Sequence, residues 1–153
     1  MVAHPAGHTP QSIVAVDVGP AVAADSHART NPDTTITIRS LGSNLEFLPS
    51  EIAVKEGTNL RIRYVNEGTF PHNIVVVRAE SDIDPLGLAA FDAAATGYVP
   101  STKADRIVAH STLASPGETV EFTFVVPPAG DYPFVCLYPG HYNMMVGTLR
   151  SLR

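Results

Sequence analysis

From Thr34 onward, apolar and polar positions alternate in short runs that turn residues separate. Thr35-Ile36-Thr37-Ile38-Arg39 is one such run, and Asn59-Leu60-Arg61-Ile62-Arg63-Tyr64-Val65-Asn66 sets apolar against charged side chains, as a strand with one wet face does. Glu51 to Lys55, Arg106 to His110, Thr119 to Val125, Tyr132 to Leu137 and Val146 to Arg150 read the same way, with Val120, Phe122 and Phe124 facing one side. Leu45-Glu46-Phe47, after a Gly-Ser-Asn turn, reads as a further short strand. The run His72 to Arg78 differs, because Ile74-Val75-Val76-Val77 is continuously apolar and so predicts a strand covered on both faces, with His72 at its first residue. Ser115-Pro116-Gly117-Glu118 and Pro127-Pro128-Ala129-Gly130 are turns. About eight strands at regular spacing predict an all-β fold, a Greek-key β-sandwich.

Two stretches break this rhythm. Residues 84–96 are alanine-rich, with Asp84 as an N-cap, Pro85 at the first helical position and Gly97 as a stop, and predict a short helical insertion whose Leu88, Phe91 and Ala95 lie against the sandwich. Residues 1–33 carry four prolines and His4, His8 and His27, and read as a flexible extension or linker, with residues 12–18 apolar and β-branched enough for an extra edge strand. Residues 34–153 then form one domain.

Composition narrows the function. The 153 residues fit one domain, 44% are hydrophobic and 16% charged, and a net charge of −5 argues against a nucleic-acid partner. No apolar run approaches the ~20 residues of a membrane span, and the segment after Met1 lacks the charged start and apolar core of a signal peptide. A single cysteine, Cys136, excludes an internal disulfide.

That cysteine opens the densest chemistry in the chain. Cys136, His141, Met144 and Met145 fall within ten positions, and His72 lies upstream in Phe70-Pro71-His72-Asn73. Together they offer a thiolate, two imidazoles and a thioether, the donor set of a mononuclear electron-transfer copper. A buried core thiol is the ordinary alternative for Cys136. There is no Asp, Glu, Lys or Arg between Asp131 and Arg150, so the surface around His141, with Phe70 and Pro71 added, is uncharged. Such a patch, made of Phe70, Pro71, Pro139, His141, Tyr142 and Met144, suits brief docking of a redox partner. If Met1 is removed, Val2-Ala3-His4 forms a separate square-planar site suited to Cu(II) or Ni(II).

The string Pro71-His72-Asn73, followed by Ala129-Gly130-Asp131-Tyr132, Phe134, Cys136, Pro139-Gly140-His141, Met145 and Gly147-Thr148-Leu149, resembles the azurin and auracyanin branch of the small blue copper proteins, the cupredoxins. Plastocyanin-type chains have a shorter gap between Cys and His. The resemblance implies one type 1 copper, with His72, Cys136, His141 and Met145 as ligands. Met145 is selected over Met144 by its distance from Gly147-Thr148-Leu149. It also implies a fifth contact from the carbonyl of Pro71, where the family usually has Gly. Asn73 is expected to link the two ligand loops through its side chain and to donate its backbone N–H to the Cys136 sulfur, and His110 to be a surface residue.

The function so implied is electron transfer by Cu(II)/Cu(I) cycling, without catalysis, between redox partner proteins such as a cytochrome or another respiratory or photosynthetic carrier. The resemblance implies a home outside the cytoplasm, and a leader or membrane tether outside this sequence and a monomeric state are expected. A copper-delivery protein, a module of a larger redox enzyme and a thiol hydrolase are the other readings. The last lacks a helix N-terminus to lower the thiol pKa.

Overall fold

Alternating side chains give a sheet one apolar face, which is buried only if a second layer covers it. In the computed structural model, which describes residues 31–153, two sheets do this for one another. The described elements are β1 (Thr34–Gly42), β2 (Glu51–Lys55), β3 (Asn59–Gly68), β4 (Val75–Val77), α1 (Ile83–Ala90), β5 (Ile107–His110), β6 (Thr119–Val125), β7 (Gly130–Val135) and β8 (Val146–Leu152). One sheet has the order β1-β3-β6, the other β2-β8-β7-β4-β5. Asn31 and Asp33, grouped with the extension by sequence, are hydrogen-bonded to Asn59 at the start of β3.

Ile38, Leu60, Ile62 and Tyr64 from the first sheet meet Val54, Val76, Phe134 and Leu149 from the second, and Cys136 and Met145 belong to the same buried cluster. Each fully buried aliphatic side chain contributes about 1.5–3 kcal/mol relative to exposure. The apolar run of β4 is explained by its two coverings. Val76 faces this core, whereas Val75 and Val77 face a second cluster, in which Leu86 and Ala90 of α1 and Val99 lie over Val135 and Leu137.

The structure departs from the sequence expectations at three places. Leu45-Glu46-Phe47 forms no strand; the chain crosses here from the first sheet to the second, making one isolated bridge between Arg39 and Leu48. Phe47 instead plugs the gap between the sheets, with its ring 6.0 Å from Tyr64 and 5.2 Å from Phe134. The strand expected from His72 is shorter, because Ile74 N–H donates to the Ser111 hydroxyl (3.0 Å) in place of a ladder carbonyl, so regular pairing starts at Val75. The helix spans Ile83–Ala90, and Ala94–Thr96 forms a separate 3-10 turn that ends, as expected, at Gly97. Asp84 is not its cap; Asp82 precedes it, and the Asp82 carboxylate accepts from Ala79 N–H and pairs with Arg106. Leu88 and Phe91 are 63% and 55% exposed and Ala95 is exposed too, while Leu86, Gly87 and Ala90 face inward. Close approach of the helix selects the face with small residues.

Candidate metal centre

His72 is set by main-chain bonds. It exchanges both backbone hydrogen bonds with Ala114, at 3.0 and 2.8 Å. The loop before it is tied by Asn66, fully buried, whose Nδ2 donates to the carbonyls of Phe70 (3.0 Å) and Ala114 (2.9 Å) and whose Oδ1 accepts from Gly68 N–H (2.9 Å). Sequence reasoning missed Asn66. An Asn just before Glu67-Gly68 signals a side-chain-stabilised turn, but the reach to Ala114 is tertiary.

Cys136 follows the last residue of β7, and its N–H donates to Met145 O at 3.1 Å. The chain then coils back. His141 N–H donates to Tyr138 O (2.9 Å), and the N–H groups of Met144 and Met145 both donate to His141 O (3.1 and 2.9 Å). Gly140 makes the reversal with φ +86°, a left-handed conformation that side chains rarely adopt. This coil leaves Met145 fully buried beside Cys136 in the core cluster and Met144 63% exposed.

His72, Cys136 and His141 converge. One ligand atom from each lies within 4.8 Å of the others, all three residues are buried, and the Cys136 Sγ is 3.8 Å from His72 Nδ1 and 3.7 Å from His141 Nδ1. Metal–nitrogen and metal–sulfur bonds of about 2.0 and 2.3 Å, opened at a trigonal angle, span about 3.7 Å between donor atoms. The donor triangle therefore fits an ion at its centre, and its chemistry of one thiol and two imidazoles fits copper.

Residues 34–150 match the family model of copper binding proteins of the plastocyanin/azurin family. The chain is 40% identical over 120 residues to auracyanin-A of Chloroflexus aurantiacus, covering 75% of this chain and 72% of that one. It is 27% identical over 144 residues to auracyanin-B of the same organism, covering 92% of this chain but 61% of that longer relative. The solved structure of auracyanin A, titled a "blue" copper protein, superposes with a TM-score of 0.73 at 37% identity, covering 77% of this chain and 98% of that one. The chain belongs to the plastocyanin/azurin family of copper binding proteins. It is a cupredoxin of the azurin and auracyanin branch, with copper as its cofactor and single-electron transfer as its function.

In this cupredoxin burial disfavours charge on all three donors. Burial pushes the Cys136 thiol up to about 11, against the backbone N–H groups of Asn73 and Tyr138 that favour the thiolate. Burial, and then the charge of His141, lowers His72 to about 4, and burial lowers His141 as well. Neutral imidazoles are ready to bind a cation, and the thiol gives up its proton when a metal replaces it. The Tyr138 N–H was not foreseen from sequence.

Asn73 reaches in two directions. Its Oδ1 accepts from Leu137 N–H (2.8 Å), linking the loop of His72 to that of Cys136, and its Nδ2 donates to the Gly97 carbonyl (2.9 Å) beyond them. Around His141, which is 8% exposed, stand Phe70 at 5.7 Å, Tyr138 at 5.0 Å and His72 at 5.1 Å. Of the docking residues expected from sequence, Phe70 and Met144 are exposed, and Pro71 and Pro139 are half-buried. Tyr142 is half-buried as well, and it packs against the second core cluster. His110 is exposed on β5, its Nδ1 2.8 Å from Ser111 O. His4, His8, His27, the Val2-Ala3-His4 site and the strand expected at 12–18 lie outside the described residues.

Proposed function

We propose that His72, Cys136, His141 and Met145 hold one copper ion, and that His141 is the edge through which single electrons enter and leave. When bound, copper supplies one-electron chemistry by alternating between Cu(II) and Cu(I), the imidazoles suiting the first and the thiolate and thioether the second. The observation that carries this reading is the buried convergence of two Nδ1 atoms on one Sγ. Rigid carriers matter here. A donor set that cannot relax toward the preference of either oxidation state keeps reorganisation small, and the Ala114 bridge and the coil at His141 supply that rigidity. The N–H groups of Asn73 and Tyr138 spread the charge of the sulfur. The Pro71 carbonyl would supply a fifth contact.

Protein donors fill the coordination positions, so the role is carriage without catalysis. Electrons pass at the uncharged end, where Phe70 and Met144 are exposed and Pro71, Pro139 and His141 surround them. The partners are redox proteins, a cytochrome or another respiratory or photosynthetic carrier, that dock briefly and leave. Residues 31–153 act as the monomeric copper domain, since Asn31 and Asp33 are bonded to β3, and the residues before them as its tether, outside the cytoplasm. Among the described residues no helix is long and apolar enough to cross a membrane.

Ligand variants test the assignment. With Cu(II) added, Cys136→Ser should abolish the intense visible thiolate-to-copper band, Met145→Leu should move it, and Met144→Leu should leave it in place. A band that survives Cys136→Ser, or that moves with Met144 and not with Met145, contradicts the ligand set.

A further inference from the structure

We propose that the segment between β4 and β5 is a positioning clamp on the ligand loop, gripping it at Gly87 and at the Gly97–Tyr98 corner. The first grip explains a costly residue. Gly87 lies inside the eight-residue helix α1, where glycine is less favourable than alanine by about 1 kcal/mol. A Cβ on Gly87 would overlap the ring of Tyr142. Tyr142 directly follows His141 and packs against the second core cluster, to which Leu86, Ala90 and Leu137 belong. The glycine thus lets the helix close on the residue beside a copper ligand.

The second grip carries backbone strain. Gly97 and Tyr98 have φ +66° and +67°, and Tyr98 is the non-glycine residue with positive φ among the described residues. A bulky side chain in that region costs on the order of 1–3 kcal/mol and persists where its surroundings hold it. Two contacts do so. The Gly97 carbonyl accepts from Asn73 Nδ2, and Asn73 Oδ1 holds Leu137 N–H, next to Cys136. The Tyr98 ring stands edge-on to Tyr138 at 5.2 Å, and Tyr138 lies 5.0 Å from His141. Both grips therefore act on residues that touch or adjoin Cys136 and His141. The inference rests on the proposed ligand set only for what the loop carries.

The test reads the loop with and without metal. In the full chain free of metal, Gly87→Ala, although alanine is the better helix former, should speed hydrogen exchange of the Leu137 to Met145 amides by about tenfold, and leave the β3 amides as they are. Tyr98→Ala should do the same, and Tyr98→Phe, which keeps the ring, should match the parent. In the copper-loaded chain both alanine variants should shift the visible band and the reduction potential. Leu88→Ala, on the exposed side of α1, should change none of these. Unchanged loop exchange and an unchanged band in both alanine variants, or a Tyr98→Phe variant as loose as Tyr98→Ala, would overturn the clamp. Exchange in the metal-free chain reads the clamp alone, so a loaded parent without a visible band would count against the ligand set and leave the clamp standing.

Discussion

His72 and His141 present the same atom to the Cys136 sulfur at nearly the same distance, 3.8 and 3.7 Å, yet the chain carries them in different ways. His72 is fully buried and is fixed by the Ala114 bridge, with the preceding loop tied down by Asn66. His141 sits at the rim on a coil held by its own backbone turns and by the rings of Phe70 and Tyr138. The inner histidine is part of the sandwich, and damage there should appear first as lost stability. The outer one belongs to a surface, and damage there should appear first in electron exchange.

The largest effect is expected on the inner side. Asn66→Ala removes three hydrogen bonds around the His72 loop, two of them buried, and should lower the unfolding free energy of the metal-free protein by about 3 kcal/mol. Denaturant unfolding measures it, and a loss within error of zero would show that Asn66 does not hold the loop.

Acid should act on the same histidine by a somewhat smaller amount. Burial holds His72 at about 4 against its ordinary 6.5, so between these values the unfolded chain binds more protons and stability falls as pH falls. The contribution is fully present above about 6.5 and is lost on descent through about 4. Metal-free protein should lose on the order of 2 kcal/mol over this window, and His72→Gln should flatten the curve.

Gly68→Ala should be milder. Its methyl would lie 2.9 Å from the Gly42 carbonyl and 3.3 Å from His72 Nε2. The end of β3 must shift, at a cost of about 1–2 kcal/mol, and thermal unfolding should register it. The smallest stability change belongs to the outer side. Met144→Glu, at a side chain 63% exposed, should stay within about 0.5 kcal/mol of the parent and keep its visible spectrum, while slowing electron exchange with a redox partner several-fold. An unchanged exchange rate would move the docking surface elsewhere.

The same contrast governs what could be read from sequence. The outer loop was legible because Cys136, His141 and Met145 are close in the chain and framed by Pro139-Gly140 and Gly147-Thr148-Leu149. Strands were legible where alternation ran for five residues or more, as in β3 and β6. Leu45-Glu46-Phe47 failed because periodicity cannot tell a residue that pairs in a sheet from one that plugs the gap between two sheets. The face of α1 failed for a related reason. Large apolar residues were expected inward, but the Tyr142 ring already fills that space, so Leu86, Gly87 and Ala90 turn in and Leu88 and Phe91 turn out. Asn66, Gly97 and Tyr98 act through partners distant in the chain, which no local pattern announces.

In the proposed site Cys136 binds copper as a thiolate between two imidazoles, and one electron passes at a time. A visible absorption titration with Cu(II), followed by ascorbate and reoxidation, tests it most directly. The expected result is an intense charge-transfer band that saturates at one equivalent of copper, bleaches on reduction and returns on reoxidation. Copper that binds without such a band, or a band that does not return, would contradict it.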